Sequence, residues 1–558
     1  MTSKELRDNF LKFFEKNGHA IVPSSSLLPA DPSVLFTTAG MQQFKQYFLG
    51  EKSPYGDKVA SCQKCFRTSD IEEVGDERHL TFFEMLGNFS FGGYGKEKAI
   101  KLAKDFLDSI NIKINYVTVF GGDRDIPKDE ESAKIWGKLG FSEANGNLRF
   151  EGRKDNFWGP TGEEGPCGPT TEIYVHGIEI WNLVFNEYYQ DKDKKFTPLK
   201  QKGVDTGMGL ERLAMVSGGK ANIFETDLFS PIISELRSLA SKLEAKLLSS
   251  DEKAERIIAD HIKGAVFLIS EGIAPSNVER GYILRRILRR AIRYGNVLGL
   301  AEHNLIALAK KVLEIYKDVY PEIAAREADI LTAIQNEEEK FKKTLNEGLR
   351  QFEKGLDAFE LYTTYGFPIE LTLELAKEKG IQINIEEFNK KFKEHQEISR
   401  AGAEKKFKGG LADHSEKTTK YHTATHLLLA AMREILGPEI YQKGSNITAE
   451  RLRFDFNYPQ RLSEGQVEKI GNLVNRKIKE DIAVEMIEIP KSEALKIAKI
   501  SFDPAKYGEI VKVYKINDFS IELCGGPHVK RTGELGHFKI IKEESSGAGI
   551  RRIRAILE

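Results

Sequence analysis

"HTATHLLLAAMREILG", residues 422–437, opens with two histidines four positions apart, ahead of an apolar run. On a helix, His422 and His426 lie on one face, a turn apart, where both can reach one cation. Far along the chain, "ELCGGPHV" (residues 522–529) repeats the spacing with Cys524 and His528. The two glycines of that turn permit a tight path, which brings the thiolate and the third imidazole together. Three nitrogens and one sulfur suit tetrahedral zinc. An isolated His-x3-His is more often two histidines on a helix surface. The second pair, with Cys at the same spacing, favours one zinc (Zn²⁺) site held by His422, His426, Cys524 and His528. "SCQKCF", with Cys62 and Cys65, is a rival CxxC. It has no matching second pair and reads as two structural cysteines.

The surroundings of these pairs give the last domain its class. The histidine helix should stop at Gly437-Pro438. "RLRFDFNY" (451–458) alternates Leu452, Phe454 and Phe456, the pattern of a strand with one buried face. "AVEMIEI" (483–489) and "GHFKII" (536–541) read as further strands. This part is therefore α+β. The preceding "SRAGAEKKFKGGLADHSEKTTK" (399–420) is small, charged and Gly-containing, a linker. From about residue 225 to 400 the pattern is helical. Ile330, Ile334, Phe341, Leu345, Leu349, Phe352, Leu356 and Phe359 recur at steps of three, four or seven, one stripe of a long helix. The first 240 or so residues are rich in Gly, Pro and aromatic residues and mix short strands with helices.

A chain of 558 residues is too long for one core. Its net charge of −1 points to no partner, so any nucleic-acid surface must be a local patch. The amino terminus, "MTSKELRDNFLKFFEKNGH", is an amphipathic charged helix rather than a signal peptide. No apolar run is long enough to cross a bilayer, so no membrane is expected. Four cysteines are too few for a disulfide framework, which makes a reduced, cytoplasmic setting the default.

Two further stretches combine glycines with arginines. "CFRTSDIEEVGDERHLTFFEMLGNFSFG" (65–92) contains Arg67, Arg78, His79 and Phe82 and resembles two strands joined by an acidic loop. Arginine suits bidentate phosphate contacts, and Phe82 could stack on a base. "VDTGMGLERL" (204–213) contains Asp205, Gly207, Gly209 and Arg212. Its glycines let a helix start approach a ligand closely, and Asp205 could accept from an ammonium group. A surface hairpin and a helix cap would use the same residue types. The strongest basic patch is "ERGYILRRILRRAIRYGN" (279–296). Arg285, Arg289 and Arg293 stand at i, i+4 and i+8, with Arg286 and Arg290 beside them. A run like this is usually a solvated face.

With these motifs in hand, the chain resembles the alanyl-tRNA synthetases, a family of class II aminoacyl-tRNA synthetases. "LFTTAGMQQFKQYFLG", "RHLTFFEMLGNFSFG", "GPCGPTTEIY", "EIWNLVFNEY", "VDTGMGLERL", "IADHIKGAVFLISEGIAPSNVERGYILRRILRRAIRYGN", "HTATHLLLAAMREILG" and "CGGPHV" match the family in order and span nearly the whole chain. The resemblance implies an α+β multidomain fold. Its parts would be a class II antiparallel-sheet catalytic core at 1–235, a helical tRNA-recognition domain at 236–400, a linker at 401–420 and an α+β zinc-containing editing domain at 421–558. The implied activity is ATP-dependent ligation of L-alanine to tRNA(Ala) through alanyl-adenylate, with Mg²⁺ accompanying ATP. It also implies roles for individual residues. Arg67 (motif 2) would meet the α-phosphate and Arg212 (motif 3) the γ-phosphate. Arg78 and His79 would lie near the phosphates and Phe82 near adenine. Trp158, Asn182, Asp205 and Gly207 would form the alanine pocket, Asp205 taking the amino group. Asn277 would read the acceptor-stem G:U pair, and Arg285, Arg286, Arg289 and Arg290 would hold tRNA.

The resemblance also implies hydrolytic editing. A pocket for alanine cannot strongly reject glycine, which lacks one methyl worth about 1–3 kcal/mol, nor serine, which adds only a hydroxyl. His422, His426, Cys524 and His528 match the family's editing-site zinc ligands, and Gln442 matches a polar residue of that pocket. The chain also departs from the family. Thr363 stands where "LYDTYGFP" has aspartate, Pro527 stands where threonine is usual, and the Gly-rich barrel before the histidine helix is replaced by the linker. The carboxy-terminal segments that commonly mediate dimerisation are missing, so a monomer with weaker tRNA affinity is expected. Two other readings stand beside the ligase: an aminoacyl-tRNA deacylase with a decayed synthetase half, and an RNA-binding protein without activity. Arginines kept together with "DTGMGLER" argue against decay, since no folding role needs them together.

Overall fold

A computed structural model describes residues 1–31, 33–241, 252–301, 303–404, 415–498, 510–547 and 549–558. The chain divides into two compact units, Met1–Ile383 and Asn384–Glu558. The first unit holds both the strand-rich stretch and nearly all of the helical stretch that follows it.

Among the described residues, nine strands form the sheet of the first unit. They are β1 (Ala20–Ile21), β2 (Lys58–Phe66), β3 (Phe82–Ser90), β4 (Tyr116–Phe120), β5 (Leu148–Glu151), β6 (Phe157–Trp158), β7 (Gly165–Val175), β8 (Ile178–Gln190) and β9 (Phe196–Gly209). The order is β1-β2-β3-β9-β8-β7-β4-β5, with β6 paired to β7. The long central strands are antiparallel, and only the pairs β1–β2 and β4–β5 are parallel. The antiparallel core expected from the sequence is thus present.

Helices pack on this sheet through apolar faces and buried ion pairs. Helix α1 (Ser3–Lys16) starts at a Thr2–Glu5 capping box and buries Leu6, Phe10 and Phe14. Its Arg7 grips Glu84 of β3 at 2.9 and 2.7 Å, and both side chains are buried. Helix α2 (Leu210–Ser217) follows β9 directly, with Gly209 as its cap. Its buried Glu211 pairs with Lys263 at 2.7 Å from α3 (Glu252–Ser270). Helix α4 (Glu279–Val297) lies along α3, and α5 (Asn304–Tyr316) and α6 (Glu327–Glu353) complete the bundle. The long apolar stripe breaks earlier than its spacing suggests. Gly355 takes a left-handed φ of +78° after α6, so Leu356 and Phe359 lie outside that helix. Two short helices, α7 (Ala358–Tyr365) and α8 (Ile369–Glu378), follow.

The second unit is α+β, as its strand patterns suggest. Strands β10 (Gln442–Ile447), β11 (Leu452–Asn457), β15 (Phe538–Gly547) and β16 (Ile550–Leu557) form one antiparallel sheet, in the order β10-β11-β16-β15. Strands β12 (Glu485–Pro490), β13 (Ile510–Ile516) and β14 (Ser520–Leu523) form another. Helix α9 (Glu416–Leu436), capped by Ser415 and closed at Gly437, packs with α10 (Glu464–Lys479). Leu452, Phe454 and Phe456 all point into the core, fully buried. The expected linker is shorter than 401–420: a helix runs Ile385–Glu404, α9 begins at Glu416, and residues 405–414 lie outside the described residues. Among the described residues no helix is long and apolar enough to cross a membrane.

Candidate active site and candidate metal centre

Strand alternation builds the larger cavity. β3 presents Phe83 and Met85 to it, β8 presents Asn182 and Val184, and β9 presents Asp205 and Gly207. The register sets Asn182 opposite Gly207 and Val184 opposite Asp205. A Cβ at Gly207 would come within 2.8 Å of the Met85 sulfur, so a side chain there would have to displace Met85. Arg67, Arg78, His79, Trp158 and Arg212 also line the cavity. Residues from five separate stretches therefore meet in one concave site.

The arginines are held, with their guanidinium groups beside the cavity. Arg67 donates from Nε to the Thr38 carbonyl at 3.2 Å and lies 5.0 Å from the Phe83 ring and 6.0 Å from that of Trp158. Arg212 donates from Nη1 to the carbonyl and carboxylate of Glu179, each at 3.0 Å. Asp76 fixes the loop tip by accepting the backbone N–H groups of Arg78 and His79 at 2.9 and 2.8 Å.

Several polar groups are left unspent. Asp205 is 6% exposed, and among the described residues no hydrogen bond or ion pair reaches its carboxylate. Burial alone pushes its pKa up to about 7. The Asn182 carbonyl oxygen and the Trp158 indole N–H are buried without partners among the described residues. Glu172 accepts from the Asn182 amide at 3.0 Å. Its carboxyl is pushed up to about 7, first by burial and then by the charge of Glu179. Glu172 also accepts from the Tyr174 hydroxyl at 2.7 Å and Glu179 from Arg212; both carboxylates line the cavity, where their oxygens are of the type a hard divalent cation such as Mg²⁺ takes.

Phe82 does not belong to this site. It points to the opposite face of β3, fully buried, and stacks on Phe267 with centroids 3.8 Å apart. Its neighbour Phe83 faces the cavity instead. Phe83, Met85, Glu172, Glu179 and Val184 are among the cavity residues that sequence reasoning missed. The alternation of β3 would have separated the two phenylalanines only if one neighbour's burial were known beforehand.

The basic helix α4 is also less free than its sequence suggests. Arg290 is 2% exposed and bonded to Glu374, to the carbonyl of Ile71 and to His261. It is therefore not a surface contact for RNA. Arg285 and Arg289 share Glu337, and Arg286 pairs with Glu72. Asn277 accepts from Arg285. The Thr363 hydroxyl donates to the Phe359 carbonyl at 2.8 Å, within its own helix.

The second unit brings the two distant pairs together. One ligand atom from each of His422, His426, Cys524 and His528 falls within 4.8 Å of all the others. The His528 ring stands 4.4 Å from that of His422 and 4.5 Å from that of His426, centroid to centroid. Thr423 and the Pro527 carbonyl hold the outer nitrogens, at 3.2 Å from His528 Nδ1 and 3.0 Å from His422 Nδ1. The other nitrogen of His528, Nε2, is buried without a hydrogen-bond partner among the described residues. Burial, with His422 and Arg433 adding to it, lowers the pKa of His426 to about 3, and burial raises that of Cys524 to about 11. Neutral imidazoles and a thiol with an unspent nitrogen at the centre fit zinc. Gln442 lies on β10, where its amide donates to Ser445 at 3.0 Å. Cys62 and Cys65 are both buried and, three apart on a strand, point to opposite faces, so they cannot share an ion.

Two family models match the chain, and the first match runs across the division into the second unit. Residues 5–449 match the family described as "tRNA synthetases class II (A)". Residues 511–554, which include Cys524 and His528, match "Threonyl and Alanyl tRNA synthetase second additional domain". The chain is 46% identical over 594 residues to the alanine–tRNA ligase of Borrelia hermsii (strain HS1 / DAH), with all of each chain covered. It is 47% identical over 598 residues to that of Treponema denticola, covering 100% of this chain and 99% of the relative. Against that of Thermotoga sp. (strain RQ2) it is 40% identical over 702 residues, covering 100% of this chain and 80% of the relative. The chain belongs to the class II aminoacyl-tRNA synthetases and, within them, to the alanine–tRNA ligase family.

Proposed function

We propose that the cavity of the first unit activates L-alanine with ATP and transfers it to tRNA(Ala), and that the second unit hydrolyses wrongly charged tRNA. Asp205 carries the first half. Burial without a partner makes this carboxylate costly to ionise, and the ammonium group of alanine offsets that cost. The free Asn182 oxygen and Trp158 N–H beside it offer one acceptor and one donor to the same small ligand. Gly207 and Met85 bound the space. Asp205, Asn182, Trp158 and Gly207 are therefore read as the alanine pocket.

With the amino group held there, an oxygen of the alanine carboxylate attacks the α-phosphorus of ATP. The bond to the β-phosphate oxygen breaks, and pyrophosphate leaves with the electron pair. Arg67 neutralises charge at the α-phosphate, Arg212 at the γ-phosphate, and Arg78 and His79 close over the rest. Phe83, rather than Phe82, offers its face to the adenine. Glu172 and Glu179 would hold Mg²⁺, whose contribution is to neutralise the phosphates. No side chain serves as nucleophile; positioning and fixed positive charge carry the rate. A hydroxyl of the terminal adenosine of tRNA then attacks the alanyl carbonyl and expels AMP. Asn277, Arg285, Arg286 and Arg289 form the candidate tRNA surface, and Arg290 is not part of it.

In the second unit, His422, His426, Cys524 and His528 would hold zinc, which organises the site. Four protein ligands make a closed site, so the attacking water need not be bound to the metal. Gln442 remains a candidate pocket residue. ATP–pyrophosphate exchange dependent on alanine tests the ligase reading, since neither a deacylase nor a passive RNA-binding protein performs it. Deacylation of seryl- and glycyl-tRNA by the purified chain tests editing.

A further inference from the structure

The loop that carries Arg78 and His79 is fastened to the helices as well as to the sheet. The β2–β3 ladder ends at the Phe66–Phe82 pair, and residues 67–81 bridge its two strands. Arg290 of α4 reaches that loop from behind, donating to the Ile71 carbonyl at 2.7 Å and to the Val74 carbonyl at 3.4 Å. Its remaining reach goes to Glu374 of α8, at 2.8 and 3.1 Å, and to His261 Nε2 at 3.0 Å. His261 Nδ1 lies 2.9 Å from the Asp260 carboxylate. Asp260 accepts the N–H and hydroxyl of Thr81 at 2.9 and 2.6 Å. One buried chain of polar groups thus grips the loop at 71–74 and again at its exit, and Arg78 and His79 lie between the two grips.

A planar guanidinium can serve two carbonyls, a carboxylate and an imidazole together, which a lysine ammonium cannot. We propose that Arg290 is a positioning residue for alanine activation, setting the 67–81 loop so that Arg78 and His79 meet the nucleotide. This rests on the reading of the cavity as the ATP site. The alanine pocket is built on other strands, with Trp158 on β6, Asn182 on β8 and Asp205 and Gly207 on β9, so displacing the loop should affect one substrate and spare the other.

Arg290→Lys keeps the buried positive charge beside Glu374 but loses the double grip. In alanine-dependent ATP–pyrophosphate exchange its KM for ATP should rise roughly tenfold, with KM for alanine within about twofold of the unaltered chain. Amide hydrogen exchange at residues 71–79 should speed up while that of β8 and β9 stays the same. A second variant, Arg290→Met with Glu374→Met, removes both charges together, and Arg293, which also pairs with Glu374 at 3.1 Å, keeps Glu378 as its partner. It should show the same split. An unmoved KM for ATP in either folded variant, or an equal rise for both substrates, would overturn the assignment. An unaltered chain without alanine-dependent exchange would overturn the ATP reading, and this one with it.

Discussion

Gly526 carries no side chain because His422 occupies the space where one would begin: a Cβ at that position runs into the imidazole. The turn between Cys524 and His528 is therefore shaped around the helix that faces it. Gly526→Ala must push either the turn or the ring away and spread the four ligands. Zinc affinity should fall about 10–100-fold, as it does when ligand orientation is disturbed in metal sites. Competition with a chromophoric chelator measures this. Seryl-tRNA deacylation should fall with zinc content, and alanine-dependent pyrophosphate exchange should not change.

On the proposed reading of Asp205 as the ammonium partner, alanine binding should depend on pH. Its carboxyl is raised to about 7, so it is neutral in the free chain below that pH and ionised above it. Only the ionised form pairs with ammonium. KM for alanine should therefore fall as pH rises through about 7, while KM for ATP follows a different course. Asp205→Asn should abolish this dependence and weaken alanine binding by about 1.5–3 kcal/mol. A pH profile of KM for alanine that is identical in the two proteins would exclude Asp205 as the ammonium partner.

Adjacent phenylalanines should behave in opposite ways. Phe82→Ala opens a cavity against Phe267 and should cost about 3–5 kcal/mol of stability, seen as a lower urea midpoint. Phe83→Ala removes a ring from the cavity wall and should cost little stability. It should raise KM for ATP by the worth of one stacking contact, about 1–3 kcal/mol. Reversed outcomes would return the adenine to Phe82.

Glu84 is fully buried and held by Arg7 from α1 and by the Tyr320 hydroxyl at 2.8 Å. Arg7→Met leaves that carboxylate without its cation and should cost about 3–5 kcal/mol. Arg7→Met combined with Glu84→Gln should recover a large part of the loss. Denaturation curves of the single and double variants provide the measurement.

What could be learned from the sequence follows the range of the interactions. The cluster of three histidines and one cysteine was legible because both pairs are set four apart and one contains cysteine. The strand through Leu452, Phe454 and Phe456 was legible because it alternates strictly. "TFFEML" has two aromatics in a row, so the face that each takes is decided by Phe267, far away in the chain. The arginine stripe of α4 was visible, but its partners Glu72, Glu337 and Glu374 lie on other elements; they pair off much of the basic patch, and Arg290 and Arg293 are buried. Glu172 and Glu179 gave no signal of their own, because they join the cavity wall only once the β7–β8 hairpin is formed. The apolar stripe of α6 continues past Gly355 in sequence but not in space, because a left-handed turn outweighs periodicity.

The two units have separate apolar interiors, one built from residues between Leu6 and Ala376 and the other from residues between Tyr421 and Ala555. Heat or a core-weakening substitution can then melt one without the other, and calorimetry should resolve two transitions. On the proposed assignment, a carboxy-terminal interior that melts first brings the organism mistranslation before starvation: charging would go on with its proofreader already gone.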